Sequence, residues 1–229
     1  MKSIVLIKTK SAIQLEHYHN PYFSVIIPTF NRKKTLTKAL DSLLNQSERN
    51  WEAIIVDDGS TDGTEAYILP YLIKDNRIKY FIQTNKGAAL AKNNGIKEAS
   101  GKFITFLDSD DVYEAFHLKS RYEILKNNPT VMFLYGGVKI IGNQFVPDRN
   151  NNAANIHIDN CVIGGAFFVE KELLLSLNGF KNILIGEDAE LFDRICITEA
   201  IKLEVETPSY IYQRHLQDSV TTNFMNKKT

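Results

Sequence analysis

The sequence has no net charge and no long apolar run, and each of these absences excludes a class of protein. Its 229 residues carry 27 lysines plus arginines against 27 aspartates plus glutamates, so no overall field recruits nucleic acid or anionic lipid. No apolar stretch approaches the roughly 20 residues that cross a bilayer. The apolar run near the amino terminus spans only four residues, too short for the core of a signal peptide. We therefore predict no nucleic-acid partner, and peripheral membrane contact stays open.

Cysteine is also scarce. Cys161 and Cys196 are the only two and lie far apart in the chain. This usage predicts reduced, buried thiols and a cytoplasmic location, with attachment at the inner face of a membrane left open. By contrast, 44% of the residues are hydrophobic, which is enough for one sizeable core.

The order of apolar runs predicts the fold class. Strand-like runs such as "YFSVIIPTF", "WEAIIV", "RIKYFIQ" and "GKFITFL" alternate with helical patterns up to residue 106. This βαβ rhythm predicts an α/β domain with a mostly parallel central sheet and helices on both faces. Beyond residue 130, "VMFLYGGVKIIG" predicts either one strand or a hairpin turning at Gly136 and Gly137, and residues 147–160 predict a flexible loop.

Two acidic groups follow predicted strands. Asp57 and Asp58 follow "AIIV", and the sequence "LDSDD" places Asp108, Asp110 and Asp111 within four positions after "FITF". Because ligands of open α/β sheets bind outside the carboxyl ends of strands, both groups are expected at one crevice. Crowded carboxylates repel each other unless a cation neutralises them. Hard oxygen ligands without a nearby cysteine favour Mg or Mn. The alternative is that these aspartates only cap the next helix.

Six motifs carry a resemblance to a known family. They are "FSVIIPTFNR", "AIIVDDGSTDGT", "NKGAALAKNNGIKEASGKFITFLDSDD", "GGAFFVEKELLLSLNGF", "GEDAELFDRI" and "YQRHLQDSVT". Their order and spacing, from Phe23 to about Thr222, resemble the family 2 glycosyltransferases, which have a Rossmann-like GT-A fold. The resemblance implies inverting transfer of a sugar from a nucleotide-diphospho-sugar, with UDP as the nucleotide, to a carbohydrate or lipid-linked hydroxyl acceptor. It implies surface polysaccharide or glycolipid synthesis as the setting.

The resemblance also implies residue roles. Asp188 is the expected catalytic base, with Glu187 beside it in the first turn of a helix. The donor is expected to contact a set of residues in the first half of the chain: Pro28, Thr29, Asp57, Asp58, Lys92 and Asp108. The metal is expected at Asp110 and His215. Weaker candidates for the site are Gly164, Gly165 and Asp111.

Lys92 departs from the family pattern, which often has arginine there, so an exposed helical lysine is the alternative interpretation of that position.

We predict four segments: a leader (1–22), a nucleotide-sugar-binding half (23–112), an acceptor-binding and catalytic half (113–222) and a tail (223–229).

Three other functions compete with this interpretation. A phospho-receiver domain also gathers aspartates around magnesium, but it is shorter and leaves "GEDAELFDRI" unexplained. A nucleotidyltransferase should show a glycine-rich basic loop after its first strand, and "PTFNRKKT" contains no glycine. A nucleotide-sugar-binding module without catalysis would share every phosphate and metal residue. Only the carboxylate at Asp188 distinguishes the module from the enzyme.

Overall fold

The computed structural model describes residues 5–6, 21–149, 154–183 and 185–214. The strands are β1 (Val5–Leu6), β2 (Phe23–Thr29), β3 (Trp51–Asp57), β4 (Ile78–Ile82), β5 (Phe103–Phe106), β6 (Val112–Tyr113), β7 (Val131–Gly142), β8 (Phe145–Pro147), β9 (Asn155–His157), β10 (Phe168–Glu170) and β11 (Ile201–Arg214). The helices are α1 (Lys33–Leu44), α2 (Thr64–Lys74), α3 (Ala88–Glu98), α4 (His117–Asn127), α5 (Lys171–Ser176) and α6 (Glu187–Cys196). Short 3₁₀ turns lie at Ile158–Asn160 and Gly164–Ala166.

A nine-stranded sheet organises the described chain, in the order β1-β4-β3-β2-β5-β10-β7-β11-β6. Strands β4, β3, β2 and β5 are mutually parallel, and β7 is parallel to β11. Strand β10 runs antiparallel to both of its neighbours, and β1 and β6 are antiparallel edge strands. The predicted mostly parallel α/β sheet is thus confirmed. Strands β8 and β9 form a separate antiparallel pair.

Helices cover both faces of this sheet because the strand side chains alternate between two cores. In β2, Val25 and Ile27 join one buried cluster, whereas Ile26 joins the other. The first cluster includes residues of α1, α2 and α4, and the second includes residues of α3, α5 and α6. Burial on both faces explains why the strands read as continuous apolar runs. No helix in the described ranges has the length and apolar character to span a membrane.

Three expectations from the sequence need correction. The hairpin alternative for residues 131–142 is wrong, because β7 is one strand. Gly136 and Gly137 have φ of 89° and 71° and lie where the pairing with β11 shifts register, so they form a bulge rather than a turn. The polar tract 147–160 contains β9 and a 3₁₀ turn besides its four undescribed residues, 150–153. Both thiols are free, but Cys196 is exposed and Cys161 only half-buried.

A buried carboxylate joins four segments at the end of the sheet opposite the acidic motifs. Glu52, which is 5% exposed, accepts hydrogen bonds from Ser24 Oγ (2.6 Å), Ser100 N (2.6 Å) and Ser100 Oγ (2.7 Å). Lys79 Nζ lies 2.6 Å from its other oxygen. Burial raises the pKa of Glu52, but the hydrogen bonds from Lys79 and the serines outweigh burial and hold that pKa below its ordinary value.

We predict that Glu52→Gln lowers the free energy of unfolding at pH 7 by about 2–4 kcal/mol, because the amide cannot accept four hydrogen bonds. Since the folded pKa is depressed, this stabilisation is complete above the unfolded pKa near 4.5 and disappears as the pH falls through the folded pKa. Urea titrations from pH 7 to pH 3 should therefore show the two proteins converging in acid. Glu98→Gln, an exposed change on α3, is the control. A constant difference across this range would contradict the prediction.

Candidate active site

The site lies at the carboxyl ends of β2, β3 and β5. Strand β2 pairs with β3 on one side and with β5 on the other. The acidic group after β3 and the acidic group after β5 therefore lie on either side of the end of β2. The end of β2 supplies Pro28 and Thr29, both buried. Asp58 N donates to Thr29 O (2.8 Å), which joins the two strand ends. The Thr29 hydroxyl is buried and has no hydrogen-bond partner among the described residues.

Asp57 points inward. One of its carboxylate oxygens accepts from Ser60 N (2.7 Å) and the other from the Tyr80 hydroxyl (2.5 Å), and the side chain is buried. These contacts order the turn "DDGST" after β3. They support a structural role for Asp57 in shaping the crevice, because each of its carboxylate oxygens already accepts a hydrogen bond within the fold.

Asp58 is engaged by the loop that precedes α3. Its Oδ1 accepts from Gln83 Nε2 and Lys86 N, and its Oδ2 accepts from Gly87 N, all at 2.7 Å. A carboxylate offers about four acceptor positions, so roughly one remains for a ligand. Asp58 therefore holds the loop before α3 in place. Its one remaining acceptor position is available for a hydrogen bond from the base of a nucleoside.

The three aspartates of "LDSDD" have different surroundings. Asp110 Oδ2 lies 2.6 Å from Arg32 Nη1, at the start of α1. Asp111 is buried, and its carboxylate accepts from the Tyr210 hydroxyl (2.6 Å) and from Gln213 N (2.7 Å), both on β11. Asp108 is partly exposed at the crevice.

Two of these aspartates, Asp108 and Asp111, have raised pKa values. Burial raises the pKa of Asp108 to about 6, with Lys92 opposing and Asp188, Asp110 and Glu187 adding to the rise. Burial, together with Asp108 and Asp110, likewise raises the pKa of Asp111 well above its ordinary value. Burial is thus the main cause of both rises, and the neighbouring carboxylates add to it.

The carboxylates of α6 meet Lys92 of α3. Lys92 is 2% exposed, and its Nζ lies 3.1 Å from Asp188 Oδ1 and 3.6 Å from Glu187 Oε1. The same ammonium group lies 4.9 Å from the centre of the Phe180 ring. Burial alone would lower the pKa of Lys92, but the surrounding carboxylates raise it above its ordinary value. The alternative of an exposed helical lysine is therefore wrong, because α6 and Phe180 cover this face of α3.

Asp188 occupies the first turn of α6, as predicted, with Gly186 at the N-cap. Its second oxygen, Oδ2, accepts from Gly164 N (3.0 Å). A Cβ atom at Gly164 would overlap the Asp188 carboxylate, which explains the glycine at this position. The side chain keeps 25% of its surface exposed, so a substrate can reach it. Burial and the Asp188 charge raise the pKa of Glu187.

Gly165 lies against Tyr210. A Cβ atom there would overlap the phenol ring, so a side chain would displace the donor to Asp111. The sequence interpretation missed Tyr210 and also missed Arg32, although Arg32 belongs to the quoted motif "FSVIIPTFNR". The position of Arg32 just after a strand that ends at the crevice was a usable signal. Tyr210 had no such signal, because its partner lies 99 residues away.

A divalent cation fits part of this site. Within the described ranges, no group of three histidine, cysteine or acidic side chains is placed to hold a metal ion. His215 lies outside the described residues. Magnesium, however, is commonly held by one or two carboxylates plus substrate phosphates and water. Asp110, with Asp108 nearby, provides hard oxygen ligands for such an arrangement.

Fold and site together define an α/β protein with an acidic crevice at the carboxyl edge of its sheet, which is where open α/β sheets bind ligands. The chain belongs to glycosyl transferase family 2, because the sequence model of that family matches residues 24–181. Membership leaves the phospho-receiver and nucleotidyltransferase alternatives without support.

One similar relative is the UDP-Glc:alpha-D-GlcNAc-diphosphoundecaprenol beta-1,3-glucosyltransferase WfgD of Escherichia coli. It is 38% identical over 161 residues, which is 67% of this chain and 61% of that protein. The chain therefore spans about three fifths of this relative's length.

Solved structures show the same fold. The chain superimposes on S. aureus TarS 1-349 in complex with UDP-GlcNAc with a TM-score of 0.75 and 24% identity, covering 87% of this chain and 60% of that one. It also matches the mannosyltransferase PcManGT from Pyrobaculum calidifontis, solved with GDP-Man and Mn²⁺ (TM-score 0.68, 21% identity, 85% and 57% coverage). These likenesses confirm the predicted GT-A fold.

We predict that Lys92→Met lowers the free energy of unfolding by about 2 kcal/mol or more, because it leaves two partly buried carboxylates without their cation. Lys97→Met, which changes an exposed lysine on the same helix, should cost less than about 0.5 kcal/mol. The double variant Lys92→Met/Asp188→Asn should be more stable than the sum of the single changes by about 1–2 kcal/mol. Strict additivity in chemical denaturation would show that the pair is not energetically coupled.

Proposed function

We propose that this chain transfers a sugar from a UDP-sugar to a hydroxyl acceptor with inversion at the anomeric carbon. The observation that carries this proposal is the Asp188 carboxylate, which a buried ammonium and a backbone N–H hold at the same crevice as the donor-side aspartates. The UDP-Glc named for the relative WfgD supports UDP as the nucleotide. The acceptor named for WfgD, alpha-D-GlcNAc-diphosphoundecaprenol, supports a lipid-linked diphosphate as the acceptor of this chain. Such an acceptor would place the reaction at the inner face of a membrane.

The proposed roles divide along the chain. Residues 23–112 would bind the donor, through the end of β2 and Asp58 for the nucleoside and Asp108 for the ribose or sugar. Residues 113–222 would bind the acceptor and supply Asp188. Asp110, with His215, would hold Mg or Mn. When bound, such a cation would offset the negative charge that develops on the departing diphosphate.

The described residues account for the proton transfer. The acceptor hydroxyl must lose its proton as its oxygen attacks the anomeric carbon, and a carboxylate on the side opposite the diphosphate can take it. Lys92 Nζ lies 3.1 Å from Asp188 Oδ1 and holds this oxygen of the carboxylate in place. Gly164 N fixes the other oxygen, so the carboxylate is oriented before the acceptor binds.

A binding module without catalysis remains the second candidate. It would keep the contacts of Asp58, Asp108 and Asp110 unchanged. It would have no use for a carboxylate that is fixed on both oxygens yet still a quarter exposed. The geometry of Asp188 therefore favours the enzyme.

We predict that Asp188→Asn lowers sugar transfer, or UDP release from a panel of UDP-sugars, by about 10²- to 10⁴-fold, the usual contribution of a positioned base. The affinity for UDP in calorimetry should stay within a few-fold, because the change preserves the shape of the side chain. NMR of the product should show the anomeric configuration opposite to that of the donor. Unchanged turnover would reduce Asp188 to a helix cap, and retained configuration would exclude single displacement.

A second experiment separates nucleoside from metal recognition. Asp110→Ala should abolish the increase in UDP affinity that Mn²⁺ produces, yet leave the affinity for uridine unchanged, because uridine has no phosphate. Asp58→Ala should weaken uridine as well, by removing the base contact and loosening the loop at Lys86 and Gly87. Calorimetry with uridine and with UDP, with and without Mn²⁺, compares the two variants. Equal losses of uridine affinity would contradict the division of roles.

A further inference from the structure

We propose that Arg32 competes with the divalent cation for Asp110 and so weakens metal binding. This inference rests on the proposed metal role of Asp110. The observation behind it is the ion pair between Arg32 Nη1 and Asp110 Oδ2 at 2.6 Å. The two side chains are only 13% and 15% exposed, so water screens the pair less than it would screen a surface pair.

The pair joins two segments that both belong to the site. Arg32 is the N-cap residue of α1, three residues after the end of β2, and Asp110 lies 78 residues further along, in the loop after β5. Because β2 and β5 are adjacent in the sheet, the guanidinium reaches across the crevice. A cation bound to the same carboxylate would lie close to the guanidinium, and two positive charges in close proximity repel each other.

The neighbouring aspartates do not offer the same competition. Asp111 accepts from Tyr210 and from a backbone N–H, and neither of these groups carries a charge. Asp108 faces the ammonium of Lys92, which α3 holds against Asp188. Asp110 is thus the member of the acidic loop whose carboxylate pairs with a cationic side chain at the start of α1.

The next residue provides a matched control. Lys33 carries the same charge at the same end of α1, but its ammonium donates to Asp62 O (2.7 Å) and lies 5.4 Å from the centre of the Tyr67 ring. Removing the Lys33 charge changes the general field near the crevice without freeing Asp110. The difference between changes at Arg32 and Lys33 therefore isolates the direct competition.

The test measures binding of Mn²⁺ alone, by the electron paramagnetic resonance signal of the free ion. Arg32→Gln should bind Mn²⁺ about 5- to 30-fold more tightly than the wild-type chain, the range expected for losing a partly buried, charge-assisted ion pair. Arg32→Lys, which keeps the charge but not the planar fork, should show a smaller gain. Lys33→Gln should change the affinity by less than about 2-fold. Arg32→Lys also keeps the test decisive if the Gln variant fails to fold.

Asp110→Asn, measured in the same way, separates the two ways in which the idea could fail. Loss of Mn²⁺ binding in this variant, with tighter binding in Arg32→Gln, supports the competition. If Asp110→Asn loses Mn²⁺ but Arg32→Gln behaves like Lys33→Gln, the competition is wrong and the metal role of Asp110 stands. If Asp110→Asn still binds Mn²⁺ normally, the metal assignment is wrong and the competition falls with it.

Discussion

The buried ammonium of Lys92 is the constraint on which the site depends. A lysine that is 2% exposed needs carboxylates to stay charged, and α6 supplies two of them while the loop after β5 supplies a third. The same carboxylates, crowded together, need a cation in return. This mutual requirement fixes the start of α6 against α3. The donor-side aspartate and the proposed base thereby share one positive charge.

Sequence patterns predicted the parallel half of the fold well, because strands buried on both faces appear as unbroken apolar runs. They predicted the second half poorly, for reasons specific to each element. Strand β7 contains two adjacent glycines with positive φ. Adjacent glycines are typical of a turn, and only the pairing with β11 shows that they form a bulge within one strand. Strand β9 lies in a polar tract whose pairing partner, β8, is only three residues long. Hydrophobic periodicity cannot detect such elements.

The site shows a similar division. The acidic residues and the helical position of Asp188 could be predicted, because motif spacing and strand ends are properties of the chain itself. The burial of Lys92 could not be, since it depends on α6, which begins 95 residues later. The pairs Arg32–Asp110 and Tyr210–Asp111 link residues 78 and 99 positions apart. Only the order of strands in the sheet brings these partners together.

Strand β10 explains how segments from the second half of the chain reach the crevice at all. Because β10 runs antiparallel to β5, its first residue pairs with Thr105 near the carboxyl end of β5, and the preceding glycines arrive at the same edge as Asp108. The next strand in the sheet, β7, is antiparallel to β10, and β11 is parallel to β7. The carboxyl end of β11 therefore lies at the same edge, and it brings Tyr210 and Gln213 there. Had β10 been parallel to β5, Gly164 would lie at the opposite edge and could not donate to Asp188. The one reversed strand in the middle of the sheet is therefore what places the proposed base opposite the donor site.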